Sequence, residues 1–303
     1  MAKDIGDIVY LNGEYLPMSE AKVPVLDRGF IFGDGVYEVV PVYGGAPFRM
    51  AEHFRRFQHS MDSIRIPNPH TDAEWGKLTH DLVNRNGGGD QSVYYQVTRG
   101  VAKRDHAFPA GLKPTVFMMT GPLKVPSREQ VEQGVPVISM TDFRWYKCDI
   151  KSTSLLGNCI AKQAAVEAGA AEVVMFRDGY LTEASSSNVF AVKNGVVLVP
   201  PKTHLILPGI TYDVVIDLSR EAGLPVEVRE VHESEVKTAD ELWITSSTKE
   251  VLAATTLDGR PVGAGKPGPA FKRVLQGYQD YKRELGAPNT MKRTCAGTSL
   301  AQG

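Results

Sequence analysis

The sequence predicts a two-domain protein of the α+β or α/β class. Its first part reads as paired strands followed by helices, whereas strands and helices alternate beyond residue 127. Between them, residues 121–126 (GPLKVP) carry two prolines, a composition typical of a linker. At 303 residues, the chain can form two modest domains that each bury a core. We therefore expect a smaller N-terminal α/β domain over 1–120, the linker over 121–126 and a larger C-terminal domain over 127–286.

Two hairpins are predicted near the N-terminus. IVYLNGEYLP consists of two short apolar runs about Asn12-Gly13, a dipeptide typical of a two-residue hairpin turn. Gly44-Gly45 joins GVYEVVPVY to APFRM in the same way. In each pair two short runs flank a turn dipeptide, so we expect two hairpins.

Helices and a long loop follow the hairpins. The sequence predicts an amphipathic helix near 50–63, and Thr71 with Glu74 forms a capping box that opens another helix. Residues 92–99 (SVYYQVTR) and 115–120 (TVFMMT) predict strands. The loop between these strands runs from 99 to 114, and loops of that length in compact domains are often functional.

Strands and helices alternate in the second part. Strands are predicted at 135–140, 172–177, 188–193, 196–199, 226–230 and 242–245. Helices are predicted at 155–168, 211–222 and 268–285, with Gly169 and Gly223 ending the first two. The last stretch, 287–303, has no periodicity and predicts a disordered tail.

Composition and charge exclude several classes of function. The 34 Lys and Arg residues nearly balance the 35 Asp and Glu residues. The protein therefore has no large positive net charge that would attract nucleic acid or an anionic membrane. The start of the chain has no apolar signal core, and no segment approaches the roughly 18 uncharged residues of a membrane helix. We expect no nucleic-acid partner, no membrane association and a cytoplasmic location.

Cysteine and histidine usage argues against disulfides and metals. Cys148, Cys159 and Cys295 form an odd, scattered set without a CxxC pair, as expected of reduced thiols in the cytoplasm. The seven histidines are equally scattered. We therefore expect no metal site.

Lys151 is the first candidate for chemistry. It lies in CDIKSTSLLGN, between an aromatic stretch with Trp145 and Tyr146 and an apolar helix. An apolar setting disfavours the charged form of a lysine, which helps it to form an imine. A solvated lysine at a helix start fits the same position, so the position alone does not decide between the two.

Glu183 is the second candidate. Asp178-Gly179 predicts a turn, and the stretch YLTEASSSN places Glu183 before a run of hydroxyl residues and a strand. Such a carboxylate could hold a proton on a pyridine nitrogen in a cleft lined by hydroxyls. A glutamate that follows a turn is more often a solvated charge.

Three segments carry groups that suit a phosphate. Residues 207–211 (LPGIT) lead into a helix, and free N–H groups at a helix start favour an anion. Residues 243–248 (WITSST) end a strand in hydroxyl residues. Arg56 follows His53 by three residues on one helix face, and its fork of donors matches a phosphate. The alternatives are an ordinary capped helix, an ordinary loop and a solvated arginine.

Together, and in this order along the chain, these features resemble the fold type IV family of pyridoxal-phosphate enzymes, the class IV aminotransferases. The resemblance covers about residues 8–285, and its most specific element pairs DIKS at 149–152 with EASSSNVF at 183–190. The family contains D-amino-acid, branched-chain and (R)-amine transaminases and aminodeoxychorismate lyases. It implies fold type IV, pyridoxal 5′-phosphate as the cofactor, and a C-terminal domain that binds it.

The resemblance assigns a role to each matched residue. Lys151 matches the catalytic lysine that carries the cofactor as a Schiff base, and Glu183 matches the partner of the pyridine nitrogen. The other matched cofactor-binding residues are the phosphate-binding Arg56, Ile210, Thr211 and Ser247, the ring-packing Leu207, and the hydroxyl run Ser185, Ser186 and Ser187.

The N-terminal half resembles the D-amino-acid transaminases within that family. The matching segments are DRGFIFGDGVYE at 27–38 and RGVAKRDH at 99–106. In that subfamily the residues that match Tyr37, Arg104 and His106 form a carboxylate trap, which holds the α-carboxylate of the substrate. The Arg-x-His pair reaches in from the neighbouring subunit, so the resemblance also implies a homodimer. A guanidinium with two further donors complements a carboxylate; a solvated polar loop is the alternative.

The sequence departs from the patterns of two subfamilies. Branched-chain enzymes tend to carry Phe-Glu-Gly-Ile-Arg where this chain has Tyr37 to Pro41, and the missing arginine argues against that subfamily. The chain reads KSTSLL where D-amino-acid enzymes read KSLNLL, so Thr153 and Ser154 alter side chains near Lys151. The alternatives are an (R)-amine transaminase, a branched-chain transaminase, an aminodeoxychorismate lyase and, outside catalysis, a binding protein that kept the fold.

The resemblance implies a two-step, ping-pong reaction. An amino group passes from a D-amino acid of the D-alanine or D-glutamate type to the cofactor, and then to a second 2-oxo acid. The preferred D-amino acid and acceptor do not follow from the sequence.

Overall fold

The computed structural model describes residues 7–286, which form two β-sheets that share no strand. The elements of the first part are β1 (Ile8–Leu11), β2 (Glu14–Pro17), a 3-10 turn (Met18–Glu20), α1 (Arg28–Phe32), β3 (Gly35–Tyr43), β4 (Ala46–Pro47), α2 (Met50–Ser63), α3 (Asp72–Arg85), β5 (Gln91–Thr98) and β6 (Thr115–Pro122). The six strands form an antiparallel sheet in the order β2-β1-β6-β5-β3-β4.

The core of the first part lies between this sheet and α2 and α3. Aromatic and aliphatic side chains of the two helices, including Phe57 and Trp75, pack on strand residues such as Val40 and Tyr95. The predicted capping box opens α3, because the Thr71 side chain accepts from the Glu74 amide while the Glu74 carboxylate accepts from the Thr71 amide. The predictions for both helices are confirmed.

The elements of the second part follow from residue 128 onward. They are α4 (Arg128–Gln133), β7 (Val135–Thr141), α5 (Leu156–Glu167), β8 (Glu172–Arg177), β9 (Tyr180–Ala184), β10 (Asn188–Lys193), β11 (Val196–Val199), α6 (Ile210–Glu221), β12 (Val226–Val228), α7 (Glu233–Lys237), β13 (Glu241–Ser246), β14 (Glu250–Leu257), β15 (Arg260–Pro261) and α8 (Pro269–Gly286). The sheet has the order β12-β11-β10-β13-β14-β7-β8-β9, with β15 paired to β14.

Alternate residues of this second sheet face two different cores. Phe190 and Val192 join a core with α6 and α8, whereas Val189 and Ala191 join a core on the opposite face. This period of two is what a strand buried on both faces requires. Such strands read as continuous apolar runs, as VVMF in β8 does.

Most predicted elements are confirmed, with two kinds of difference. Asn12 and Gly13 have φ of 51° and 110°, as the predicted hairpin turn requires. The strands β9 and β14 and the short helices α1, α4 and α7 were not predicted. β6 extends to Pro122, so the first two residues of the predicted linker belong to a strand.

The division into two domains at this linker stays a prediction, and the predicted tail over 287–303 lies outside the described residues. Of the helices within 7–286, none is long and apolar enough to cross a membrane.

Candidate active site

A cavity of about 540 Å³ collects side chains from both parts of the chain. β3 and α2 of the first part line it, together with the segment before α5, the end of β9, the start of α6 and the turn after β13. Of the residues predicted from the sequence, those that line it are Tyr37, Arg56, Lys151, Glu183, Ser185, Ser186, Ser187, Leu207, Ile210, Thr211 and Ser247.

Lys151 lies in the irregular segment between β7 and α5, and its backbone is anchored to the first part of the chain. Its carbonyl accepts from the Tyr37 amide (2.9 Å), and its amide donates to Ser60 Oγ (3.1 Å). The Lys151 Nζ lies 4.1 Å from the centroid of the Tyr37 ring. The backbone therefore fixes a lysine amine inside the cavity, beside an aromatic ring.

Thr153 and Ser154, where the sequence departs from the family pattern, donate hydrogen bonds to the backbone of the first part of the chain. Both hydroxyls donate to the Gly33 carbonyl at 3.0 Å. Gly33 ends α1 with φ of 65°, which favours glycine. The two side chains thus tie the Lys151 segment to α1.

Glu183 is buried at the end of β9 and accepts three hydrogen bonds. Its partners are Arg144 Nη1 (2.5 Å), the Leu207 amide (3.0 Å) and Asn188 Nδ2 (3.2 Å). Burial raises the pKa of Glu183 to about 6, although the Arg144 guanidinium favours the ionised form. The carboxylate is thus rigidly held, and it lies in the cavity wall.

Arg144 is a site residue that the sequence reasoning missed. Its Nε and Nη2 bind the two Asp142 carboxylate oxygens at 3.0 and 2.9 Å, while Nη1 binds Glu183. Arg144 lines the cavity and is 9% exposed. A single arginine in the stretch FRWY has no pattern that separates it from a surface residue, so no local signal could have found it.

The start of α6 offers unsatisfied polar groups to the cavity. Its N-cap, Gly209, provides no side-chain cap for the first turn. Among residues 7–286, the buried hydroxyls of Thr211 and Thr245 make no hydrogen bond of good geometry, and both residues line the cavity. Ser247 lies in the adjoining turn. Buried polar groups need partners, so these orphaned donors fit a phosphate.

Arg56 reaches the cavity from α2 and is fixed by Glu38, a second residue that was not predicted. Its Nε and Nη2 donate to the Glu38 carboxylate at 2.7 and 2.8 Å, and its Nη1 donates to the Pro208 carbonyl at 3.0 Å. His53 Nδ1 approaches Glu38 from the other side at 2.8 Å. A guanidinium has five N–H groups, so two remain for an anion in the cavity.

The hydroxyl run is held by an ion pair between buried Glu172 and half-buried Lys249, which was also missed. Glu172 accepts from the hydroxyls of Ser185, Ser186 and Ser187, and Lys249 Nζ lies 2.9 Å from its carboxylate. Burial would raise the pKa of Glu172, but Lys249 and Ser185 outweigh it and lower that pKa to about 2. Lys249 therefore brings a further ammonium group to the cavity wall.

The other two residues of the predicted carboxylate trap lie elsewhere. Arg104 and His106 are exposed on the loop between β5 and β6, and they do not line the cavity of their own chain. The ring of Phe32 lies between them, 5.4 Å from Arg104 Cζ and 5.5 Å from the His106 ring. Within one chain, Tyr37 alone of the trap is in the cavity.

Comparison with known proteins points to aminotransferases. A sequence profile of the family described as Amino-transferase class IV matches residues 35–257. The D-alanine aminotransferase of Bacillus licheniformis is 44% identical over 272 residues, which is 90% of this chain and 96% of the relative. That of Staphylococcus aureus (strain COL) is 38% identical over 274 residues, 90% of this chain and 97% of the relative.

A solved structure is similar over the same length. The branched-chain amino acid aminotransferase of Escherichia coli superposes with a TM-score of 0.86 at 27% identity. The match covers 91% of this chain and 94% of that structure. Sequence and fold are thus similar to aminotransferases over nearly the whole chain.

Proposed function

The chain belongs to the class IV aminotransferases and has their fold type IV, and we propose from this premise that it is a pyridoxal-phosphate-dependent transaminase of D-amino acids. It moves the amino group of a D-amino acid of the D-alanine or D-glutamate type to a 2-oxo acid by a ping-pong reaction. The observation that carries this function is one cavity lined by a lysine amine, a buried carboxylate and an uncapped helix start.

The residues of the cavity fit pyridoxal 5′-phosphate. Arg56, Ile210, Thr211 and Ser247 would hold the phosphate, because an uncapped helix start, a guanidinium and hydroxyl groups converge there. Leu207 supplies an apolar surface for the ring. When bound, the cofactor supplies an electron sink for the bonds at the substrate Cα.

Lys151 and Glu183 carry the proton chemistry. Lys151 Nζ lies beside the Tyr37 ring and would take up and return the proton of the substrate Cα. Glu183 would hold the proton on the ring nitrogen of the bound cofactor, and Arg144 keeps the Glu183 carboxylate oriented and favours its ionised form. Arg144 and Glu183 are buried, which strengthens their electrostatic contact.

The carboxylate trap of Tyr37, Arg104 and His106 selects the D-enantiomer, and it requires a homodimer. Arg104 and His106 lie outside the cavity of their own chain, so a second copy has to bring its pair to Tyr37. Phe108 on their loop is 51% exposed, and Phe30 on α1 is 76% exposed. Such exposed rings favour burial against another subunit.

A cytoplasmic location belongs to the same proposal. Cys148 and Cys159 are free thiols, as expected of a protein from a reducing compartment. Small-molecule D-amino acids and 2-oxo acids are its expected partners.

An activity screen tests the function. The purified protein with pyridoxal 5′-phosphate is assayed with D- and L-amino acids and with 2-oxoglutarate or pyruvate as acceptor. We expect D-alanine and D-glutamate to be used and L-leucine to be rejected. A preference for L-leucine would identify a branched-chain transaminase, turnover of amines without a carboxylate an (R)-amine transaminase, and a colourless, inactive protein a binding protein.

A further inference from the structure

Arg28 is a buried arginine that holds the backbone beside Arg104 and His106. It is 2% exposed at the start of α1. Its Nη1 donates to the Asp105 carbonyl at 2.5 Å, and its Nη2 donates to the His106 carbonyl at 3.4 Å. One guanidinium therefore fixes two consecutive peptide groups of the loop over residues 99–114, which we call the trap loop.

The start of the trap loop is joined to the same segment by backbone hydrogen bonds. The Arg28 amide donates to the Gly100 carbonyl (2.9 Å), and the Ala102 amide donates to the Leu26 carbonyl (3.2 Å). Asp27 and Val101 form an antiparallel bridge between these two contacts. The trap loop thus leaves β5 in a fixed direction before it reaches Arg104.

Asp34 links Arg28 to Arg99, the first residue of the trap loop. Its carboxylate accepts from Arg28 Nε at 2.7 Å and from Arg99 Nε and Nη2 at 2.7 and 2.9 Å. The Arg99 guanidinium lies 3.6 Å from the centroid of the Phe108 ring. Asp34 therefore orients two guanidinium groups: that of Arg28, which binds the middle of the trap loop, and that of Arg99, which lies against Phe108.

The ring of Phe32 completes the support. It contacts Arg104 and His106 as described above, and Arg28 Cζ lies 4.8 Å from its centroid. The buried arginine and both exposed trap residues thus pack around one aromatic ring. The contacts constrain the two side chains that the proposed function assigns to the substrate carboxylate.

We propose that Arg28 is a positioning residue that acts through Arg104 and His106 on the active site of the neighbouring subunit. The proposal rests on the proposed function, because it takes the trap of that function as given. Arg28 does not line the cavity of its own chain. A lysine cannot replace it fully, since a single ammonium lacks the fork that spans Asp34 and two carbonyls.

Kinetics of Arg28→Met and Arg28→Lys provide the first test. We expect Arg28→Met to raise the KM for D-alanine about tenfold with a smaller change in kcat, because the loss falls on carboxylate binding. Arg28→Lys should lie between wild type and Arg28→Met. Arg85→Met is the matched control on α3. Arg85 lies over the Tyr15 ring and does not line the cavity, so the KM of this variant for D-alanine should equal that of the wild type.

Heterodimers distinguish positioning of the partner's site from a general structural effect. In the first, a chain with Arg28→Met and Lys151→Ala is paired with a wild-type chain, so the one competent site receives the altered loop. In the second, an Arg28→Met chain is paired with a Lys151→Ala chain, so the competent site receives an intact loop. We expect the raised KM in the first heterodimer and the wild-type KM in the second.

The outcomes separate the two proposals. Equal KM values in both heterodimers, or an unchanged KM in the Arg28→Met homodimer of an active enzyme, would overturn the positioning role alone. Failure of the wild-type protein to transaminate any D-amino acid would overturn the proposed function and with it the premise of this role. If Arg28→Met does not fold, the same two heterodimers made with Arg28→Lys provide the comparison.

Discussion

The Arg144 guanidinium donates to the Glu183 carboxylate at 2.5 Å, and both side chains are buried. Asp142 binds the other edge of the same guanidinium. A buried carboxylate without a cation would be protonated at neutral pH, because burial disfavours its charge. Arg144 therefore determines whether Glu183 carries the negative charge that a protonated ring nitrogen needs beside it.

The affinity for the cofactor should depend on pH through Glu183. Its pKa is raised from 4.5 to about 6 by burial, so the carboxyl of the unloaded protein is neutral below pH 6 and ionised above it. Binding a protonated ring nitrogen favours the ionised form, so acid opposes binding. We expect the affinity for pyridoxal 5′-phosphate to fall about tenfold between pH 7 and pH 5.

The measurement is a fluorescence titration of the unloaded protein across this pH range. Glu183→Gln is its control, because the amide does not titrate and should lack this component of the pH dependence. The phosphate of the cofactor titrates equally in both proteins and cancels in the difference. Identical pH profiles for the two proteins would contradict the assignment of Glu183.

Glu183→Gln should also lower turnover while leaving the cofactor bound. The phosphate contacts remain, but the negative charge that holds the proton on the ring nitrogen is lost. We expect kcat to fall on the order of 100-fold, the size typical of removing one preorganised electrostatic group. The absorption spectrum reports whether the cofactor is still present. Unchanged turnover at saturating substrate would place Glu183 outside the chemistry.

Lys151→Ala should abolish covalent attachment of the cofactor and leave the fold intact. Lys151 Nζ projects into the cavity, and its backbone, not its side chain, makes the bonds to Ser60 and Tyr37. The check is borohydride reduction followed by peptide mapping, with far-UV circular dichroism for the fold. Lys162→Ala is the matched control, because Lys162 lines the same cavity but donates to the Ala171 carbonyl. A reduced adduct on another lysine would end the assignment of Lys151.

The residues that the sequence could identify are those embedded in short, contiguous patterns. Lys151 lies in DIKS and Glu183 begins EASSSNVF, and the resemblance of these paired motifs to one family singled the two residues out as candidates. The strand and helix pattern could be predicted for the same reason, because periodicity and turn dipeptides are local. The strand β14 was not predicted because EVLAATTL lacks the alternation of apolar and polar residues that marks a half-buried strand. Nearly all of its residues are buried.

The supporting residues could not be found because their partners are distant in sequence. Arg144 and Glu183 are 39 residues apart, and Lys249 and Glu172 are 77 apart. No periodicity connects such positions; the topology of the sheet brings them together. Charged residues are also most often solvated, so composition argues against a buried ion pair.

Lys249→Met should destabilise the protein. It would leave Glu172 buried beside three serine hydroxyls without its cation, and we expect a loss of about 2 kcal/mol in the free energy of unfolding at pH 7. Chemical denaturation measures it. Lys77→Met is the control: its side chain is 77% exposed in an ion pair with Asp81, so it should cost less than about 0.5 kcal/mol.

The loss caused by Lys249→Met should vanish in acid or when Glu172 is also neutralised. The pKa of Glu172 is lowered from 4.5 to about 2, so its ion pair stabilises the fold above pH 4.5 and that stability is lost as the pH falls toward 2. The double variant Glu172→Gln with Lys249→Met should recover most of the loss at pH 7. A deficit that persists undiminished in the double variant would show that Lys249 acts by packing instead.

Arg104→Ala should weaken the use of D-amino acids and spare neutral amines. In the proposed dimer Lys151 works on one fixed face of the cofactor, so the enantiomer that is accepted depends on where the trap holds the α-carboxylate. Only the D-enantiomer then directs its Cα–H at the lysine. A charged hydrogen bond contributes roughly 1.5–3 kcal/mol, so kcat/KM for D-alanine should fall by about 10- to 150-fold.

The comparison of two substrates and a mixed dimer makes this prediction specific to the trap. A simple (R)-amine offers no carboxylate, so Arg104→Ala should change its turnover far less than that of D-alanine. Because Arg104 is exposed and outside the cavity of its own chain, its defect should be corrected by the partner. An Arg104→Ala chain mixed with a Lys151→Ala chain should therefore recover partial activity, since one of the two sites then combines an intact lysine with an intact loop. Equal losses for D-alanine and the amine would rule out the trap, and absence of recovery in the mixed dimer would show that Arg104 serves its own chain.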